Sequence, residues 1–269
     1  ELKGKEFLKI LGLPKNAKFV CLIVRDSGYL NRHGIVQDEK RWNYHNYRDG
    51  DIDKYVLAAE ELANRGYYVF RMGINVLKPL KSSNPRVIDY SNLKIRSDFA
   101  DIYLGAKCSF CISTGSGFDE IPIIFRKPIA YASFVPLASV ETHNKNTLIL
   151  IKDHISKKNR KRLTISEIFN YNVGYSLRSE EYESNNIELK ENTPEEIKDL
   201  VIEMDERLKG TWVETEEDLL FQKQFWLIFQ EHIKKKNIYD IDVHGQPLHG
   251  IIKAKYGAKY LRANQDQIK

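Results

Sequence analysis

Residues 97–128 constrain this chain more than any other stretch, because they set out four elements in a fixed succession. Phe99, Ile102, Tyr103 and Ala106 recur at helical spacing and predict an amphipathic helix. Phe110, Cys111 and Ile112 follow as a short apolar strand, and Ser113-Thr114-Gly115-Ser116-Gly117 as a turn of small and hydroxylated residues. A second helix begins beyond it, with Asp119 suited to the N-cap and Pro122 acceptable only in the first turn. Helix, buried strand, glycine-rich turn and helix make up half of a doubly wound α/β unit. In such sheets ligands bind outside the carboxyl ends of the strands, where backbone N–H groups meet an anion. The spacing therefore places a phosphate-bearing ligand at Ser113, Thr114, Gly115, Ser116 and Gly117, although the turn matches neither common phosphate-loop pattern.

The other strands support a parallel sheet. Phe19 to Val24 is an unbroken apolar run of the kind found in strands buried on both faces, which predicts the central strand. Tyr67–Phe70, Arg86–Tyr90, Ile129–Ala132 and Thr147–Ile151 read as further strands, and a helix opening at Asp51 lies between the central strand and Tyr67–Phe70. Strand ends collect polar groups: Arg25 and Asp26, then Arg71 and Gly73, then Asp89 and Tyr90, then the serine-glycine turn. Their convergence on one rim argues for a site more strongly than any single motif.

Residues 27–48 show no periodicity but carry Tyr29, His33, Trp42, Tyr44, His45 and Tyr47, which predicts a loop folding over the site. Asp51 and Asp53 have the spacing of a metal-binding acidic pair, but acids in a first helical turn are already explained by capping and the helix dipole. Cys108 and Cys111 have CxxC spacing inside an apolar context. With Cys21 they read as buried thiols in a reducing cytosol rather than a redox or zinc site. Five basic residues within 157–162 read as a solvated face. A net charge of +5 without a concentrated patch points away from nucleic acid, and no run suits a membrane span.

Two strong helices follow, one opening at Thr193-Pro194-Glu195-Glu196 and one running from Glu214 to about Ile233. Beyond Lys236 the sequence carries few signals. The expected organisation is a Rossmann-like ligand-binding core over 1–137 and a C-terminal helical extension over 138–269 packed on it.

The motifs resemble a known superfamily. Phe19-Val20-Cys21-Leu22-Ile23-Val24-Arg25-Asp26-Ser27-Gly28-Tyr29 is similar to the strand-plus-arginine motif of GT-B fucosyltransferase-like enzymes, usually His-x-Arg-Arg-x-Asp. Asp98, Asp101, Leu104, Cys108, Phe110 and Ile112, followed by the serine-glycine turn, resemble its second motif. VRDSGYL, HNYRDGDIDKY, RMG, VIDY and SDFADIYLGAKCSFCISTGSG together resemble a family of little-characterised bacterial glycosyltransferases, over about residues 1–137. The resemblance implies a GT-B donor-type domain that transfers a sugar, in hexosyl or fucosyl style, from a nucleotide-diphosphate donor to a glycan or glycoconjugate. It implies no cofactor beyond that donor substrate and no metal. The setting it implies is the cytoplasm, at the inner face of the membrane for polysaccharide assembly.

By motif match Arg25 neutralises the diphosphate, with Arg48 and Arg71 as further phosphate ligands, and Asp89 or Tyr90 meets ribose or base. The first motif here has one arginine and no preceding histidine, so the role of the second is either empty or filled by Arg48. Asp26 is the expected catalytic base and Asp119 the next choice. The motif begins about 19 residues into the chain, so an N-terminal acceptor domain is expected to be missing. Two alternatives share the scaffold: a non-catalytic nucleotide- or phosphosugar-binding module, and a pyruvyl- or phosphoglycosyl-type transferase.

Overall fold

In the computed structural model, residues 1–29, 39–140, 146–236 and 253–268 are described. The predicted central strand, β1 (Phe19–Ile23), is buried along its whole length. It pairs in parallel with β2 (Tyr68–Arg71) on one side and with β4 (Cys111–Ser113) on the other. Beyond β2 lies β3 (Val87–Ile88). Beyond β4 come β5 (Ile129–Phe134), β6 (Thr147–Ile151) and β9 (Lys255–Tyr256), so the order is β3-β2-β1-β4-β5-β6-β9 and every pairing is parallel. This is a Rossmann-like α/β sheet: the chain steps outward from β1 to β3, then returns to the other side of β1. Strands covered on both faces favour Val, Ile, Leu, Phe, Cys and Ala, which is why β1 reads as a continuous apolar run.

Helices cover the sheet: α1 (Leu2–Ile10), α2 (Val56–Asn64), α3 (Asp98–Lys107), α4 (Glu120–Ile124), α5 (Ile165–Asn170), α6 (Ser179–Ser184), α7 (Pro194–Lys209), α8 (Glu216–Lys236) and α9 (Ala258–Ala263). The apolar stripe expected on α3 is not its buried face. Ala100, Leu104, Gly105 and Ala106 are buried, while Ile102 is 51% exposed. The reason is close approach: a Cβ on Gly105 would stand 2.7 Å from the Ile121 side chain, so α3 turns its small residues toward α4. Pro122 falls in the first turn of the short α4, the one place its missing N–H costs nothing.

The sheet does not stop at residue 137. β6 and β9 both come from the C-terminal stretch, and β7 (Asp153–Ser156) pairs with β8 (Ile187–Lys190) in a separate antiparallel ribbon. The strand read at 86–90 shortens to Val87–Ile88, with Tyr90 in a 3-10 turn and fully buried. Residues 39–48, expected as irregular loop, form 3-10 turns, and His33 lies outside the described residues. Cys21, Cys108 and Cys111 are all buried free thiols, as their apolar context predicts.

Candidate functional site

A cavity of about 610 Å³ opens at the carboxyl ends of β1, β2 and β4, where the strand order reverses about β1. One part of its wall is basic, from Arg25, His45 and Arg48. Another is apolar, from Ile23, Val24, Ile74, Val76, Phe118 and Ile121, and Asp26, Tyr29, Gly73, Asp101, Ser116 and Gly117 complete it.

Arg25 leaves β1 with its backbone N–H donating to Thr114 Oγ1 at 2.9 Å, which ties the end of β1 to the turn after β4. Its guanidinium donates to His45 O at 3.2 Å and pairs with Asp49. Arg25 and Asp26 do not pair with each other, so the idle surface pair their adjacency allows is not what forms. Burial and the nearby Arg48 cation bring the Arg25 guanidinium down to about 10, still charged at neutral pH. Burial first, then Arg48, Arg25 and Arg178, likewise hold His45 below its ordinary range. Arg48 Nε is buried and has no hydrogen-bond partner among the described residues. Arg48 thus stands close enough to disfavour ionisation of Arg25 and His45, and two guanidinium groups gathered at one cavity suit an anion.

Asp26 is engaged on both oxygens. Oδ1 accepts from Gly28 N at 2.9 Å, Oδ2 from Leu77 N at 3.0 Å, and Arg71 Nη2 lies 3.5 Å away. Arg71 is wholly buried, donates to Ser91 Oγ at 2.7 Å and does not line the cavity. It braces Asp26, and Asp26 clamps two loops. Gly73 does reach the cavity; its φ of +136° and a Cβ site 2.9 Å from Val76 both require glycine. Asp89 is absorbed locally, accepting from Leu80 N, Ser91 Oγ and Asn92 Nδ2. Tyr90 packs edge-on against Phe7 and Phe70 in the core. Neither Asp89 nor Tyr90 lines the cavity.

The turn after β4 is organised by Asp119. Its Oδ2 accepts from Ser113 Oγ at 2.9 Å and from Ser116 N at 2.8 Å, while Ser113 Oγ accepts from Gly115 N at 2.9 Å. Ser113 and Thr114 are fully buried. Their hydroxyls therefore shape the turn, and only Ser116 and Gly117 face the cavity. Gly115, at φ +89°, lets the turn lie against Phe134, whose ring would stand 3.1 Å from a Cβ there.

Sequence reasoning missed what holds Arg48 in place. Buried Lys152 donates Nζ to Tyr47 O at 2.9 Å and to Asp49 O at 2.6 Å, and burial brings it down to about 8. Ser179 Oγ donates to Asn43 O and accepts from Tyr47 N, and Glu191 accepts from Asp51 N. These contacts span more than a hundred residues, so no local signal could announce them. Next to Lys152, burial pushes the enclosed His154 down to about 4, below its ordinary 6.5. A folded-state value below the unfolded one means that protonation disfavours folding. The associated stability is complete above about pH 6.5 and is lost as pH falls toward about 4. Urea denaturation at about pH 7 and about pH 5 should show a larger drop for the wild type than for His154→Leu; equal drops would remove His154 as the cause.

Asp51 caps the turn Ile52–Tyr55 by accepting from Asp53 N, and Lys78 bridges Asp51 and Asp53. Among the described residues no cluster of His, Cys, Asp and Glu is arranged to hold a metal ion, and no described helix is long and apolar enough to cross a membrane. No family model, curated protein or solved structure matches the chain.

Proposed function

We propose that the cavity beside Arg25 and Arg48 binds the diphosphate of a nucleotide sugar, and that the protein transfers the sugar to a glycan or glycoconjugate. On this reading the sheet is a GT-B donor-type domain. The observation that carries it is the placement of two guanidinium groups in one cavity at the reversal of strand order, one with its Nε buried and unbonded. When a glycosyl bond breaks, negative charge builds on the departing diphosphate. A fixed guanidinium offers bidentate, charge-assisted hydrogen bonds to it, in a site where water competes poorly. The apolar wall of Ile74, Val76, Phe118 and Ile121 suits the flat face of a nucleobase.

Asp49, paired with Arg25 Nη1, competes with phosphate oxygen for the guanidinium and is a competitor built into the site. Asp26, with both oxygens accepting backbone N–H bonds, acts by positioning the loops around Gly28 and Leu77. That engagement favours, as a second reading, a module that holds the nucleotide sugar without turnover.

Thermal-shift and calorimetric titration with GDP, UDP, CDP and dTDP sugars test the proposal. Binding of at least one, followed by release of its sugar to water or to a glycan, is the expected result. Binding without turnover supports the module, and no binding by any of them rejects both. EDTA should leave the affinity unchanged, since Lys78 already spans Asp51 and Asp53; EDTA-sensitive binding would return that pair to consideration as a metal site.

A further inference from the structure

A second, smaller cavity of about 300 Å³ lies against the first. The two share Arg48, Ser116 and Gly117, so the turn after β4 and the Arg48 side chain form a ridge between them. Nothing in the diphosphate reading uses this chamber. Apart from the shared Arg48, its walls are of a different character from the basic cavity. Tyr47, Tyr131 and Phe134 line it, with the rings of Tyr131 and Phe134 4.8 Å apart and inclined at 48°. Gly115 is required here, because any side chain would press on the Phe134 ring. At the rim stand the exposed Glu120 and Ser139 and the half-exposed Leu177. The Glu120 carboxylate has no hydrogen bond or ion pair among the described residues.

We infer that this chamber binds a neutral sugar ring, the accepting end of a glycan. The inference rests on the nucleotide-sugar reading only for the word accepting; the ligand class follows from the chamber itself. Aromatic faces carry negative charge density and attract the weakly positive C–H groups of a pyranose face. The ring's hydroxyls are hydrogen-bond donors, and an unpaired carboxylate such as Glu120 is the strongest acceptor the rim offers. A second anion would meet the Glu120 charge and compete with the diphosphate for the shared Arg48, and a large apolar ligand would cover Glu120 and Ser139 without offering them a partner. The shared ridge then sets a ring in the small chamber beside a sugar carried on a diphosphate in the large one. The two substrates would need no second domain to meet.

The test is saturation-transfer NMR on the full chain with four probes: methyl β-D-galactopyranoside, methyl β-D-glucopyranoside, methyl α-D-mannopyranoside and N-acetylglucosamine. At least one should show transfer concentrated on the C–H groups of one ring face. Ser139→Trp, which fills the chamber from its exposed rim, should weaken that binding at least tenfold, and Glu120→Gln severalfold. Unfolding midpoints of both variants near the wild-type value would show that the fold is kept. No transfer to any of the four probes, or unchanged binding in a folded Ser139→Trp, overturns the inference. Glycoside binding without any diphosphate binding would keep the chamber's assignment and remove the transfer reading. The opposite pattern would keep the diphosphate site and remove the chamber.

Discussion

Arg25→Ala should weaken nucleoside-diphosphate binding by about 1.5–3 kcal/mol, the range for a charged hydrogen bond, or roughly ten- to a hundredfold in Kd. Two effects act in the same direction. The guanidinium no longer meets the phosphates, and its partner Asp49 is left as an uncompensated negative charge beside them. The second effect can be isolated. Asp49→Ala alone should tighten binding, because it frees Arg25 of its competitor, and the double variant Arg25→Ala/Asp49→Ala should bind better than Arg25→Ala. Lysine at position 25 should restore only part of the loss, since an ammonium cannot reproduce the planar fork. Isothermal titration of the four variants reads these differences directly. An Arg25→Ala protein with wild-type affinity would take Arg25 out of the site and the diphosphate proposal with it.

Asp119→Ala should be the most destabilising single change in the site region, by about 3 kcal/mol, because the buried Ser113 hydroxyl and the Ser116 N–H lose one common acceptor. In a chain of this size that corresponds to a fall in Tm of roughly 6–12 °C. Asp119→Asn keeps an acceptor oxygen and should lose less than half as much. Ligand affinity should fall with stability, since Ser116 and Gly117 owe their position at the ridge to this carboxylate. Scanning calorimetry of the two variants decides the matter. An Asp119→Ala protein melting with the wild type would mean that the turn is held by something else.

Three inner strands were legible because double burial favours apolar runs, and Phe19–Ile23, Ile129–Phe134 and Thr147–Ile151 are predominantly apolar. β4 was legible from its setting between a helix and a glycine turn. β9 was not. It has only two residues, and Gln222 of α8 holds Tyr256 by accepting from its N–H at 2.9 Å and donating to its carbonyl at 2.6 Å. A strand made by a side chain from another helix leaves no periodicity of its own. The expected 137/138 boundary likewise rested on the loosening of local pattern after Pro136, whereas the sheet continues across it through β6 and β9.

In the site, position along the chain was more informative than residue type. Arg25, Gly73, Ser116 and Gly117 line the cavity because each ends or follows a strand that points there. Asp89 and Tyr90 also follow a strand, but β3 is the edge strand, away from the reversal about β1, and both are consumed by local packing.

The amino-acid sequence alone determined the alternation of strands and helices, the parallel sheet and the rim on which a ligand would sit, because these depend on hydrophobic period and turn chemistry carried within a few residues. Which polar groups remain free at that rim was decided only by tertiary structure. Ser113, Thr114 and Asp26 look like ligand groups in one dimension, yet they are spent on Asp119, on the Arg25 N–H, and on the backbone of Gly28 and Leu77. Hydrogen-bonding capacity is finite, and its allocation depends on distant neighbours: Thr114 is spent on a residue 89 positions away in the chain.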